Sequence, residues 1–359
     1  MIGLVMGKFY PPHAGHHALI RLAAAECELV VVVVVASVAE SIPLEHRVAW
    51  LAEEHAGEPA VRVVGCRCDA PLDLTDDVVW RAHVAVVAAA ARAAGAPTVD
   101  AVYSGEEYGA ELAARLGAKH VRILRDERSS TAVRRDLVGT WDELAPATRA
   151  GLTTRVVVLG AESTGTTSVA AALAARLRDR GGVWARTECV PEYGREYTHL
   201  KWRRDGGALD ALVWDRDDFD LVAAEQTRAE EAAARRGSPV LVCDTDAFAT
   251  AIWERRYLGV EARPGPPWAD RPAANLYLLT DHEDVPWHDD GLREGDLAIR
   301  AAMTAWFADA LTAGRRSWLL LTGSLDERVE LAVRTVDQVL ARRLAFTAPF
   351  GGPGFAPRS

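Results

Sequence analysis

Residues 1–17 read MIGLVMGKFYPPHAGHH, and this stretch decides the fold of the first part of the chain. A short apolar run, residues 2–6, is followed by a loop and then by a helical pattern over 14–27. Because continuous apolar strands that alternate with helices indicate a parallel sheet covered on both faces, we predict an α/β domain over residues 1–140. Its other predicted strands are 29–36, 61–65, 101–104 and 120–124, and its other helices are 44–55, 76–94 and 106–116.

The pattern restarts at residues 155–174, which read RVVVLGAESTGTTSVAAALA. A second α/β domain with a parallel sheet is therefore predicted over 155–345. Residues 141–154, with a proline and no clear period, are interpreted as a linker, and the Pro- and Gly-rich residues 346–359 as a disordered tail. The predicted strands are 155–159, 183–189, 240–244, 276–280 and 318–322, and the helices are 166–180, 217–236, 296–313 and 325–344.

The composition is that of a soluble globular protein: 359 residues, 49% hydrophobic and 26% charged. A net charge of −10 disfavours a nucleic-acid partner. The five cysteines are too scattered for a disulfide scaffold, and the start of the chain has no basic region typical of a signal peptide. The longest apolar run, residues 29–36, is too short to cross a bilayer. We therefore expect a cytoplasmic protein without stable membrane association.

Two histidines, His13 and His16, follow the first predicted strand and lie three residues apart where the first helix begins. Residues at this spacing face the same side of a helix. Backbone N–H groups at a helix N-terminus suit a phosphate, and Gly15 lets a nucleotide approach the backbone closely. The motif predicts a phosphate site.

This stretch resembles the HxGH signature of the nucleotidyltransferase superfamily. The second signature of that superfamily, ISSTxxR, is represented by RSSTAVR at 128–134, with Arg128 in place of isoleucine. The resemblance implies adenylyl transfer, in which a substrate phosphate attacks the α-phosphorus of ATP and pyrophosphate leaves. No general base is required, because the nucleophile is already an anion and the site has only to position it and neutralise charge. The implied catalytic residues are His13, His16 and Arg134, and the implied ATP-binding residues are Gly7, Lys8, Phe9, Gly15, Ser129, Ser130 and Thr131.

Residues 160–167, GAESTGTT, have the spacing of the Walker A motif GxxxxGK[ST] between a strand and a helix. Thr166 occupies the lysine position, so the cation that normally spans the transferring phosphates is missing. The backbone can still wrap a phosphate, and Thr167 can still reach Mg²⁺. We predict ATP binding here by Gly160, Glu162, Ser163, Thr164, Gly165, Thr166 and Thr167.

Acidic residues follow two other strands of the second domain. Asp244 is expected to hold Mg²⁺ together with Thr167, and Glu192 could take the proton of a substrate hydroxyl. Asp246 could exchange roles with Glu192. Residues 285–293, VPWHDDGLR, are suited to a lid, and Arg293 in this loop is our candidate for the missing lysine's charge.

An HxGH domain followed by a P-loop domain with PEYxREY, DTD and PWxxDGLR resembles the bifunctional NadR type over about residues 1–343. These proteins are nicotinamide mononucleotide adenylyltransferases fused to ribosylnicotinamide kinases. The resemblance implies two steps of NAD salvage: phosphorylation of nicotinamide riboside by ATP, then adenylylation of the mononucleotide to NAD, with Mg²⁺ as cofactor. Some members carry an N-terminal helix-turn-helix module, which we do not expect because the first predicted strand begins at Ile2. Implied substrate-binding residues are Trp80, Tyr193, Asp246, Trp287 and Asp290, with the two tryptophans stacking on the cationic nicotinamide.

Three alternatives stay open. The second domain could be a kinase-dead nucleotide sensor, because Thr166 replaces lysine. The chain could be a regulator that binds NAD or ATP without turnover, or an adenylyltransferase for another phosphate such as phosphopantetheine. Homo-oligomerisation, transfer of intermediates and feedback by NAD are not decided by the sequence.

Overall fold

The computed structural model describes residues 1–124, 129–208, 211–259, 274–283, 285 and 297–349. The chain divides into two compact units. The first comprises Met1–Gly151 together with Leu344–Ser359, and the second comprises Leu152–Arg343.

The first unit is built on a parallel sheet in the order β3-β2-β1-β4-β5. β1 is the central strand, and the order of the strands reverses between β1 and β4. In such sheets ligands bind at this reversal, beyond the carboxyl ends of the strands. The strands are β1 (Ile2–Gly7), β2 (Leu29–Ala36), β3 (Val61–Arg67), β4 (Ala101–Ser104) and β5 (Lys119–Arg122). The helices are α1 (Ala14–Glu26), α2 (Leu44–Glu54), α3 (Asp77–Ala93), α4 (Gly109–Leu116), α5 (Ser130–Arg135) and α6 (Pro146–Leu152).

The valine run in β2 shows why this sheet is buried on both faces. Val31 and Val33 pack in the core on one face, with α3 and α4. Val30, Val32 and Val34 pack in the core on the other face, with α1 and α2. A strand without alternation of polar residues is stable only when helices cover both of its faces.

The second unit is a parallel sheet in the order β10-β9-β6-β8-β7. Its central strand β6 ends at the P-loop, and its neighbour β8 ends at Asp244. The strands are β6 (Thr154–Gly160), β7 (Cys189–Val190), β8 (Val240–Asp244), β9 (Leu276–Thr280) and β10 (Trp318–Leu321). The helices are α7 (Thr166–Arg178), α8 (Tyr193–Asp205), α9 (Arg216–Arg236), α10 (Ala247–Leu258), α11 (Leu297–Ala313) and α12 (Leu325–Arg343). The prediction of two α/β domains with parallel sheets is confirmed.

Three local predictions differ from the structure. The strand predicted at 183–189 is a 3₁₀ turn, Gly182–Arg186, followed by the two-residue strand β7, because Gly181 and Gly182 have φ of +70° and +56° and turn the chain. The predicted linker 141–154 contains a 3₁₀ turn, in which Trp141 is buried, and helix α6. In the tail predicted to be disordered from residue 346, Thr347 is hydrogen-bonded to Tyr10 and Ser41.

Candidate functional site

The histidine motif of the first unit caps helix α1. His13 is the N-cap residue, and its Nδ1 accepts a hydrogen bond from the backbone N–H of Gly15 at 3.2 Å. The backbone N–H of His13 donates in turn to Nδ1 of His16 at 3.3 Å, which completes a capping box. The two imidazole rings lie 3.9 Å apart between centroids. Both predicted histidines therefore lie together at the end of the central strand.

The second signature of the first unit lies beside these histidines. Ser129 caps α5 by accepting from the backbone N–H of Ala132 at 3.1 Å, and the hydroxyl of Ser130 lies 3.4 Å from Nε2 of His16. Arg134 is half-buried, and burial lowers the pKa of its guanidinium, which still remains charged. The structure thus brings two motifs that are 114 residues apart into one site.

Arg134 and the loop that follows β1 are joined through Tyr10. Nη1 of Arg134 donates to the carbonyl of Tyr10 at 2.7 Å, and Nη2 donates to the hydroxyl of Thr131 at 3.2 Å. The guanidinium of Arg134 lies 5.3 Å from the centroid of the Tyr10 ring, and that of Arg47 lies 4.6 Å from it. Phe9, also predicted at this site, is buried with its ring against His16.

An ion-pair network around the buried carboxylate of Glu40 supports the same loop and was missed by sequence reasoning. Lys8 and Arg47 both bind Glu40, at 2.8 and 2.7 Å. Arg47 also donates to the backbone carbonyl of Lys8 at 3.0 Å. Burial on its own would raise the pKa of Glu40, but the two cations outweigh it and hold the pKa below its usual value. No sequence spacing links Glu40 and Arg47 to the histidine motif, so only the tertiary structure reveals them.

Trp80 is placed differently from the other residues predicted in the first unit. It is 8% exposed and belongs to the core cluster that contains Leu4 and Val31. Its indole N–H donates to the carbonyl of Leu74 at 3.0 Å, and the guanidinium of Arg115 lies over its ring. These contacts favour a packing role for Trp80.

In the second unit, residues 160–167 adopt the expected strand–loop–helix arrangement. Gly165 is the N-cap of α7 with φ of +85°, a backbone conformation that favours glycine. A side chain at Gly160 would collide with the hydroxyl of Thr280. The hydroxyl of Thr164 donates to the carbonyl of Ala161 at 2.7 Å and lies 2.6 Å from that of Thr280, so the loop is tied to β9.

Two buried arginines bind the P-loop backbone, and neither was identified from the sequence. Arg300 on α11 donates to the carbonyl of Ser163 at 3.2 Å. Arg328 on α12 donates to the carbonyl of Thr164 at 2.9 Å. Burial lowers the pKa of both guanidinium groups, which remain charged. The loop that lacks its lysine is therefore braced by two cations.

The predicted magnesium ligands are in contact with each other. The hydroxyl of Thr167 donates to Oδ2 of Asp244 at 2.6 Å, and Thr166 also hydrogen-bonds this carboxylate. Burial raises the pKa of Asp244 to about 6, and the hydrogen bond from Thr167 opposes that rise. A hydroxyl and a carboxylate are hard oxygen ligands that fit Mg²⁺ bound together with phosphates. Among the residues that the structure describes, no group of three or more His, Cys, Asp or Glu side chains is arranged to hold a metal on its own.

A cavity that is partly open to solvent lies in the second unit, and its lining includes Thr245 and Asp246, the two residues that follow Asp244. It is lined by the predicted residues Glu192 and Asp246 and by Arg195. Trp214, Phe219, Trp253 and Tyr257 form an aromatic part of its wall, and sequence reasoning missed all four. They come from α9, α10 and the segment before α9, so no short motif contains them.

The two candidate carboxylates of this cavity are held differently. Asp246 caps α10 by accepting a hydrogen bond from the backbone N–H of Ala249 at 3.2 Å, and it also accepts one from the hydroxyl of Tyr277 at 3.0 Å. Burial raises the pKa of Asp246 to about 6. Glu192 precedes α8 and lies close enough to Asp244 to raise the pKa of that carboxyl further. Tyr193 donates its backbone N–H to Gln226 at 2.9 Å.

The predicted residues Trp287, Asp290 and Arg293 lie outside the described residues.

No helix among the described residues is long and apolar enough to cross a membrane.

The comparisons with known proteins point to one group. Residues 155–328 match the sequence family described as an AAA domain. The chain is 24% identical over 314 residues to the protein of Salmonella typhimurium named "Trifunctional NAD biosynthesis/regulator protein NadR", covering 81% of this chain and 71% of that protein. The Escherichia coli protein of the same name is 24% identical over 313 residues, with the same coverage.

Two solved structures have the same architecture. A NadR protein in complex with NR matches with a TM-score of 0.65 at 20% identity, covering 94% of this chain and 95% of that one. A NadR protein in complex with NAD and AMP-PNP matches with a TM-score of 0.61 at 21% identity, covering 95% and 96%. The chain is therefore similar in sequence to the NadR proteins and shares the fold of these two structures.

Proposed function

We propose that the chain is a NAD salvage enzyme with two activities. The second unit phosphorylates nicotinamide riboside with ATP, and the first unit transfers the AMP moiety of another ATP to the resulting mononucleotide, which gives NAD and pyrophosphate. The observation that carries the proposal is the cavity lined by Glu192 and Asp246, because it combines an aromatic wall with carboxylates. Glu192 also lies close to Asp244, which binds the hydroxyl of Thr167 in the P-loop. The likeness to NadR proteins, one of them solved with NR, supports the same substrate.

The aromatic wall of the cavity suits a cationic pyridinium. A cation is attracted to the face of an aromatic ring, most strongly to tryptophan. Trp214 and Trp253 line the cavity, and Asp246 and Glu192 add negative charge. Nicotinamide riboside carries its positive charge on the nicotinamide ring, so this cavity would prefer it to a neutral nucleoside.

In the kinase reaction, Glu192 is our choice for the base that takes the proton of the riboside hydroxyl. Asp246 already accepts hydrogen bonds from Ala249 and Tyr277 on its two oxygens, which favours a positioning role for it. Thr167 and Asp244 would hold Mg²⁺, which neutralises charge on the transferring phosphate. Because Thr166 carries no positive charge, Arg195 and the backbone N–H groups of the P-loop would stabilise the rest of the charge on that phosphate.

In the adenylyltransferase reaction, the residues around α1 would act on the triphosphate of ATP. The phosphate of the mononucleotide attacks the α-phosphorus, a new P–O bond forms, and the bond to the β-phosphate breaks. His13, His16 and Arg134 would stabilise the charge that develops, and Ser130 and Thr131 would bind the leaving pyrophosphate. No side chain is needed as a base in this step.

A chromatographic assay with each substrate in turn tests the proposal. Purified chain with ATP and Mg²⁺ should convert nicotinamide riboside to the mononucleotide and NAD, and should convert supplied mononucleotide to NAD. Conversion of the mononucleotide alone would favour the second candidate, an adenylyltransferase with a nucleotide-sensing P-loop unit, which the substitution at Thr166 motivates. Conversion of neither substrate would contradict both.

A further inference from the structure

The segment that follows α12 returns to the first unit and contacts the loop of the first site. The ring of Phe346 packs edge-on against the ring of Tyr10, with 5.7 Å between centroids. The hydroxyl of Thr347 lies 3.0 Å from the phenol oxygen of Tyr10, and that phenol also donates to the carbonyl of Thr347 at 3.2 Å. We call residues 346 and 347 the C-terminal strap.

The strap also fixes the loop that follows β2. The hydroxyl of Thr347 donates to the carbonyl of Ala39 at 3.0 Å and accepts from the backbone N–H of Ser41 at 3.0 Å. The hydroxyl of Ser41 lies 2.5 Å from that of Tyr10. Glu40, between these two strap contacts, is the residue that binds Lys8. One hydroxyl therefore holds both ends of a three-residue loop.

The other side of Tyr10 faces the site. Its carbonyl accepts the 2.7 Å hydrogen bond of Arg134, and its ring lies under the guanidinium of that residue. Tyr10 is fully buried, so its ring has little freedom to move when its contacts are intact. The orientation of Arg134 thus depends on Tyr10, and that of Tyr10 depends on Thr347 and Ser41.

We propose that Phe346 and Thr347 are positioning residues of the adenylyltransferase site, and that they act through Tyr10 to hold Arg134 in the orientation that binds the ATP phosphates. This inference rests on the proposed function of the first unit. It assigns a role in the first reaction to residues that follow the last helix of the second unit. The effect is expected on ATP more than on the mononucleotide, because Arg134 would contact the triphosphate.

Steady-state kinetics of NAD formation from the mononucleotide tests the proposal on the full chain. In Thr347→Val, which has nearly the same shape without the hydroxyl, the KM for ATP should rise about tenfold, since small misplacements of a positioning group are costly. The KM for the mononucleotide should stay within about twofold, as expected for a group that acts on only one substrate. Thr347→Ser, which keeps the hydroxyl, should restore the wild-type KM for ATP.

Two further comparisons separate positioning from a general loss of structure. A chain ending at Ala345 should show at least the defect of Thr347→Val, whereas a chain ending at Pro349 keeps every strap contact and should match the wild type. Tyr10→Phe should be non-additive with Thr347→Val, because the two changes remove the same contact.

The outcomes are distinguishable from failure of the proposed function. An active wild type whose strap variants keep the wild-type KM for ATP would overturn the positioning role alone. Equal increases in both KM values, together with a lower melting temperature, would also overturn it, because they indicate a merely structural role. A wild type that forms no NAD from the mononucleotide would overturn both proposals.

Discussion

The hydroxyl of Thr167 donates a 2.6 Å hydrogen bond to Oδ2 of Asp244, and this contact joins the P-loop helix to the end of β8. It places a hydroxyl and a carboxylate side by side where a P-loop kinase holds Mg²⁺ with its nucleotide. Whether the second unit is a kinase therefore depends first on these two oxygens.

Replacing Thr167 tests the pair directly. Thr167→Val should lower kcat/KM for riboside phosphorylation at least about tenfold, because the hydroxyl that would bind Mg²⁺ is removed. Thr167→Ser keeps the oxygen and should retain most of the activity. NAD formation from the mononucleotide, measured on the same preparations, serves as the internal control. Equal kinase rates in the two variants would contradict the assignment.

Restoring the P-loop lysine should increase kinase activity. Thr166→Lys adds the cation that spans the transferring phosphates, and we expect kcat for riboside phosphorylation to rise about tenfold. Thr166→Val, which removes only the hydroxyl that contacts Asp244, controls for the loss of that hydrogen bond. A rate unchanged by the lysine would mean that another cation already supplies this charge.

Glu192→Gln should abolish most of the riboside kinase activity. If the carboxylate accepts the substrate proton, kcat should fall about 100-fold or more while the affinity for ATP changes little. Glu188→Gln is a matched control, since Glu188 lies on the same segment and pairs with Arg236 at the surface. A fall in kcat of less than threefold in Glu192→Gln would contradict this role and would point to Asp246 as the base.

The aromatic wall of the cavity predicts selectivity for a riboside whose ring carries a positive charge. Trp214→Leu should raise the KM for nicotinamide riboside about tenfold, as expected for loss of a cation–π contact, without changing conversion of the mononucleotide. Trp184→Leu, in the 3₁₀ turn outside the cavity, should not change either value. If the two variants behave alike in riboside kinetics, the cavity does not bind the pyridinium.

His17 makes the stability of the first unit depend on pH. Burial, together with His55, Arg21 and His13, lowers the pKa of His17 to about 3, from an ordinary value of 6.5. Between these values the unfolded chain binds a proton that the folded chain does not, so stability falls as pH drops below about 6.5. From pH 7.5 to 5.0 the loss should be about 2 kcal/mol.

Hydrogen exchange of peptides from β1, α1 and β2, measured on the full chain at both pH values, would report this loss. In His17→Gln the loss of stability between pH 7.5 and 5.0 should be smaller than in the wild type by about 2 kcal/mol, whatever the variant's stability at pH 7.5. His46→Gln, at an exposed position on α2, should keep the wild-type dependence. The same pH-dependence in all three proteins would show that His17 does not titrate in this way.

Most strands of the two sheets were predicted from the sequence, because each apolar run lies next to a segment whose hydrophobic residues have helical spacing. The strand predicted at 183–189 was wrong, since the left-handed conformations of Gly181 and Gly182 break an otherwise suitable run. Helices α8 and α10 were not predicted. Helix α8 is rich in charged residues, and α10 places Trp253 and Tyr257 in the cavity wall, so neither has a clear hydrophobic period.

The histidine motif and the P-loop were found from the sequence because their function requires residues at fixed short spacing. The residues that support them carry no such signal. Arg300 and Arg328 reach the P-loop from positions 137 and 164 residues further along the chain, and Glu40 reaches Lys8 from another loop. Contacts over such distances in the chain are formed only by the folded structure.

The assignment of Leu344–Ser359 to the first unit has a consequence for how the protein can be divided. The second unit, Leu152–Arg343, is in effect inserted into the first, whose chain is interrupted by it. A cut after Gly151 would leave Phe346 and Thr347 on the wrong fragment, and the separated first unit would lack the partners of Tyr10. A complete first unit requires residues from both sides of the insertion, so the two units form one nested chain rather than two consecutive segments joined end to end.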